Sequence, residues 1–100
     1  MTRGTTPTHT FTLPVDTDRV KSIRALYAQE KNIVLRLNTE RFNLNGRTAK
    51  VKLTQEETLK FDETKLAEVQ IRILTLDGDS LASNVKWVSV GRLLEDEVLE

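Results

Sequence analysis

The chain has 100 residues, with 15 Lys and Arg balanced by 15 Asp and Glu, one His and no Cys. That length fits one domain, and the missing cysteines exclude disulfides and thiolate metal sites. Charge neutrality removes the usual argument for a nucleic-acid or anionic-membrane partner, which rests on a basic field.

In chain order, Met1–Pro7 holds Gly, Pro and Thr with little to bury, and is expected to be a mobile arm. It contains no apolar segment of signal-peptide length, and no later run approaches the ~20 apolar residues needed to cross a bilayer. The expectation is a chain made and kept in the cytoplasm. His9, Phe11 and Leu13 alternate with threonines in a first strand ended by Pro14. Val20–Gln29 fits a helical period through Val20, Ile23, Leu26 and Tyr27, or a strand with Ile23, Ala25 and Tyr27 inward. The alternation of Ile33, Leu35 and Leu37 favours the strand. A three-residue loop, Glu30-Lys31-Asn32, then pairs Tyr27 with Leu35 and Ala25 with Leu37, with Asn32 left-handed.

Phe42–Phe61 is the most explicit stretch. Phe42 and Leu44 alternate, Asn45-Gly46 signals a two-residue turn, and Ala49, Val51 and Leu53 alternate again. This register sets Leu44 opposite Arg47 and Phe42 opposite Ala49, with all five apolar residues on one face. Thr54-Gln55-Glu56-Glu57 fits a capping box that starts one helical turn. Asp62–Lys65 is a polar turn, and Leu66–Leu76 is a strand with Ala67, Val69, Ile71 and Ile73 inward. A three-residue loop at Asp77-Gly78-Asp79 sets Ile71 opposite Val85 and Val69 opposite Trp87, which ends the domain near Gly91. Residues 92–100 form an acidic tail carrying Leu93, Leu94, Val98 and Leu99.

The sum is an all-β chain: about seven strands in an immunoglobulin-like β-sandwich spanning residues 8–91, with one short helical turn crossing between sheets. No cofactor is expected, and no catalytic or metal site. His9 has no nucleophile to serve and reads as an edge-strand histidine. Asp16-Thr17-Asp18 and Asp77-Gly78-Asp79 supply too few oxygens for calcium and are good turn residues. Glu56, Glu57 and the tail carboxylates are not placed across a cleft. Tyr27 and Trp87 are the candidate stacking platform for a sugar, although core burial of Trp87 is the stronger expectation.

THTFTLP, KVKLTQEETLKF, VQIRILTLDGDSLASNVKWVSV and DEVL together resemble a group of short proteins encoded in prophages and phage-like elements of Firmicutes. The strand order is similar, more weakly, to the N-terminal β-sandwich module of phage baseplate proteins. The resemblance implies a virion structural protein of the tail, baseplate or head-tail connection. Its partners would be other phage structural proteins or further copies of itself. A small carbohydrate-binding module for host attachment is the alternative. The motifs are strands and turns, so no residue role transfers with them.

Overall fold

The computed structural model describes residues 1–100. Eight strands run in the order β1 (Thr8–Thr12), β2 (Val20–Gln29), β3 (Asn32–Leu37), β4 (Asn43–Asn45), β5 (Thr48–Lys52), β6 (Ala67–Thr75), β7 (Ser80–Ala82) and β8 (Lys86–Val88). They form two antiparallel sheets, one ordered β1-β5-β4 and the other β3-β2-β6-β7, with β8 also pairing with β6. One apolar cluster draws on both, with Leu13, Val51 and Leu53 from the small-sheet segments and Ile23, Leu35 and Ile71 from the large sheet. β6 shows the sequence pattern directly: Ala67, Val69, Ile71 and Ile73 are buried and the residues between them are not.

Each passage between sheets carries a short helical turn. A 3-10 turn at Thr17–Arg19 leads from β1 to β2, another at Thr39–Arg41 from β3 to β4, and α1 (Gln55–Leu59) links β5 to β6. Only α1 carries a sequence signal of its own, because only α1 has a capping box. Thr54 Oγ1 accepts from the Glu57 amide at 3.1 Å, and Glu57 Oε1 accepts from the Thr54 amide at 2.8 Å.

Three expected registers differ in detail. The β2–β3 pairing is as expected, Tyr27 opposite Leu35 and Ala25 opposite Leu37, but the loop is two residues long. Glu30 (φ 47°) and Lys31 (φ 70°) take the left-handed conformation rather than Asn32, and a bulge after Tyr27 absorbs the extra residue. In the β4–β5 hairpin the pairing slides by two: Leu44 faces Ala49, and the turn residues are Gly46 and Arg47. The set of residues on each face survives, because the slide is even. The β1–β2 connection fixes this turn, since the Thr17 amide donates to the Gly46 carbonyl and the Leu13 amide to that of Arg47.

The third difference reverses a face. Beyond the Leu76–Asp79 turn, Ile73 faces Leu81, and the chain then slips by one residue before β8, where Glu68 faces Trp87. Ser83 makes the slip possible: its amide donates to the Ile71 carbonyl and its Oγ accepts from the Ile71 amide. Trp87, expected in the core opposite Val69, therefore lies on the outer surface, 63% exposed.

Residues 1–7, expected to be a mobile arm, run beside the chain after β8. The Met1 ammonium donates to the Ser89 carbonyl, the Gly91 amide to Met1, and the Arg3 amide to Gly91. The Arg3 side chain reaches α1, where Nη2 donates to the Leu59 carbonyl at 2.9 Å and Nε to that of Phe61 at 2.6 Å. These carbonyls sit where a helix leaves acceptors unpaired, and a guanidinium there also suits the helix dipole.

Candidate functional site

Apart from Glu63 Oε2, the buried side-chain polar atoms of the fold all have hydrogen-bond partners. Tyr27, half of the candidate stacking platform, is fully buried. Its hydroxyl lies 2.6 Å from His9 Nδ1, its ring stacks on the imidazole, and it meets Phe61 edge-on. Burial raises the Tyr27 pKa, with the Glu57 charge adding to it, and lowers that of His9, with the chain's ammonium terminus adding to it. Tyr27 cannot stack on a ligand from there. His9 lies, as expected, on an edge strand, β1 of the small sheet, where it is partly buried with its ring turned to Tyr27 of the other sheet.

Glu57 serves two partners at once. Arg41 grips it with both terminal nitrogens, Nη1 to Oε2 at 2.6 Å and Nη2 to Oε1 at 2.8 Å, while Nη2 also donates to the Lys52 carbonyl. The Arg41 hydrogen bonds, followed by the Thr54 amide and the Arg41 charge, outweigh desolvation and bring the Glu57 pKa down to about 2. A carboxylate so held is a poor proton carrier at neutral pH. Buried Gln29 likewise accepts from the Asp62 amide and donates to the Asp62 and Lys65 carbonyls, which holds the turn before β6.

The two acidic loops meet through one ion pair, Asp77 of the second with Arg19 beside the first, at 2.9 Å. No group of three or more His, Asp or Glu is gathered where it could hold a metal.

The outer surface of the large sheet is different. Arg24 on β2 stands directly opposite Arg72 on β6, and Arg36 on β3 is opposite Leu26, next to Arg24's own partner position. All three arginines are exposed. A shallow groove of about 350 Å³ opens beside the facing pair, lined also by Ser22, Asn38, Thr39, Leu74 and Ser80. Trp87 belongs to the same face, opposite Glu68. Sequence alternation marked Arg24 and Arg72 as outward; their meeting depends on the β2–β6 pairing, which joins segments nearly fifty residues apart and leaves no local signal.

The tail completes the exposed features. Asp96 accepts from Arg3 Nη1 at 2.6 Å, and the Leu99 backbone exchanges two hydrogen bonds with the Gln55 side chain, at 2.8 and 3.1 Å. Leu94 and Leu99 nevertheless remain 90% and 77% exposed. Searches against family models, curated proteins and solved structures gave no match to the chain. No helix is long and apolar enough to cross a membrane.

Proposed function

We propose that this chain is a non-enzymatic structural component of a phage or prophage particle, part of a tail, baseplate or head-tail connection, working through protein–protein contacts. In this reading the two sheets form an immunoglobulin-like β-sandwich, and the chain is made in the cytoplasm and carried in the virion. The observation that carries it is the division of labour among side chains. Tyr27, Glu57 and Gln29 are all bound into the fold, whereas the side chains of Leu94, Leu99, Leu76 and Trp87 are turned outward and the facing arginines have no counter-charge. Outward apolar residues beside unpaired charge are the raw material of an interface. The resemblance to phage-encoded proteins supplies the context.

Mass spectrometry of particles purified from a host carrying this gene tests the reading. The chain should be present at fixed stoichiometry and should co-purify with products of neighbouring genes. Its absence from particles, together with no captured neighbour, would sink the proposal.

A second reading, a carbohydrate-binding module for host attachment, is favoured by one observation, the exposed Trp87 indole. A sugar stacked on it would shift the fluorescence of this single tryptophan. Glycan-array binding that disappears in Trp87→Ala supports this alternative, and a silent array ends it.

A further inference from the structure

Two arginines directly opposite each other on neighbouring strands repel, which makes Arg24 and Arg72 a costly pair to leave without a counter-charge. The chain has as many carboxylates as cations, yet places only Glu68 among the outward residues of β2, β3, β6 and β7. Every ion pair in the fold uses other cations: Arg3, Arg19, Arg41, Lys65 and Arg92. Arg24 makes one side-chain bond, from Nε to Asn38 Oδ1 at 3.0 Å, which leaves its terminal nitrogens free. The fork of a guanidinium suits a carboxylate, which can take two parallel hydrogen bonds from it. Half-buried Leu26 and Leu74 flank the charged pair on the same face and offer apolar footing beside it.

The missing carboxylates are at the other end of the chain. Glu95, Asp96, Glu97 and Glu100 fall within the last six residues, interleaved with Val98 and Leu99. Asp96 turns in to Arg3, and the Leu99 backbone is tied to Gln55, so the segment is held in place. Leu94, Glu95, Glu97, Leu99 and Glu100 keep their side chains exposed. The tail makes no hydrogen bond or ion pair with Arg24, Arg36 or Arg72 of its own chain. It is a pre-organised acidic and apolar segment, on a molecule whose basic groove has no counter-charge within the fold.

We propose that the Arg24–Arg72 groove receives the acidic C-terminal segment, Leu94–Glu100, of a second copy of this chain. Glu95 and Glu97 would meet the guanidiniums while Leu94 and Leu99 settle on Leu26 and Leu74. Groove and tail are different surfaces, so the contact is head-to-tail: each copy leaves one groove and one tail open, and addition continues into a ring or a filament. The inference deepens the building-block reading above by naming the partner and the two surfaces that join.

The test is a charge swap read by sedimentation velocity, over about 10 µM to 1 mM protein, where weak contacts register. The wild-type chain should form species larger than a dimer, and about 500 mM salt should reduce them strongly relative to about 50 mM, since exposed charges are screened over a few ångströms at the higher strength. Arg24→Glu/Arg72→Glu should stay monomeric, and so should Glu95→Lys/Glu97→Lys. Mixed one to one, they should assemble again, because each now carries the surface that complements the other. All four positions are exposed, and unchanged circular dichroism confirms that the variants fold; Arg72→Gln, which removes charge without reversing it, should weaken assembly about tenfold.

A wild-type chain that stays monomeric throughout overturns the inference. So does a reversed variant that assembles like the wild type, or a mixture that does not recover. Binding of phosphate or an oligonucleotide by a chain that never self-associates assigns the groove another occupant and likewise overturns it. Assembly that ignores all four charges refutes this contact alone and leaves the building-block reading standing; that reading fails separately, in the particle analysis.

Discussion

Replacing Glu57 by Gln removes one negative charge while keeping the size and most of the hydrogen-bonding atoms of the side chain. Glu57 is 14% exposed and clasped by Arg41, which is 33% exposed, and it also caps α1 through the Thr54 amide. Its pKa falls from an ordinary 4.5 to about 2 in the fold. Each pKa unit is worth about 1.4 kcal/mol, so the ionised form is favoured by roughly 3 kcal/mol, reduced to about 2 by the partial exposure of Arg41. A carboxylate depressed in the folded state contributes fully above its unfolded value, and the contribution disappears as pH falls through the folded value. Glu57→Gln should therefore unfold about 2 kcal/mol more easily at pH 7, a loss of roughly 10 °C in Tm for a chain of this size. The gap should close between about pH 4.5 and 2. His9, held neutral by burial, weakens both proteins alike as pH falls below its ordinary 6.5, so the quantity to measure is the difference between wild type and variant at each pH. Urea unfolding from pH 2 to 7 measures it. A gap that stays constant with pH would show that the clasp is not electrostatic in origin and refute the reasoning.

Lys31→Gly should stabilise the chain by about 1 kcal/mol, seen as a higher Tm, because Lys31 sits at φ 70° where a side chain is strained. Gly46→Val should cost about 1–2 kcal/mol: φ is 59° there and nothing lies within 4 Å of an added Cβ, so the whole cost is backbone strain. Thr54→Ala should lose about 1 kcal/mol in chemical denaturation through the missing cap. Arg3→Ala should cost about 1–3 kcal/mol and speed amide exchange at Arg3 and Gly91, because it strips the Leu59 and Phe61 carbonyls and Asp96 of their partner.

What the sequence shows well is what neighbours in the chain decide. The alternation of Ala67 to Ile73 settles the faces of β6, and Thr54 with Glu57 announces α1, because each signal is complete within ten residues. The turns were less legible. A bulge after Tyr27 changes which residues make the β2–β3 loop without changing the pairs that fill the core, so the apolar pattern is silent about it. Trp87 shows the sharper failure. Alternation predicts a face only if the register is known, and the one-residue slip around Ser83 turns an expected core residue outward. The candidate surfaces were the least legible. Arg24 meets Arg72 through a pairing of distant strands, and Arg3 finds acceptors at Leu59 and Phe61 and a carboxylate at Asp96, all far along the chain.

Arg3 also sets an order of events during synthesis. Its carbonyl partners have been made once the chain reaches Phe61, but the strand-like pairing of Met1 and Arg3 with Ser89 and Gly91 must wait until Gly91 has been added. At about 5–20 residues per second, the opening residues spend several seconds outside the ribosome before that pairing exists. The β6 edge between Ala67 and Val69 has a shorter wait: from the completion of β6 to the arrival of β8, on the order of a second at that rate, it stays uncovered and open to a neighbouring nascent chain on the same message.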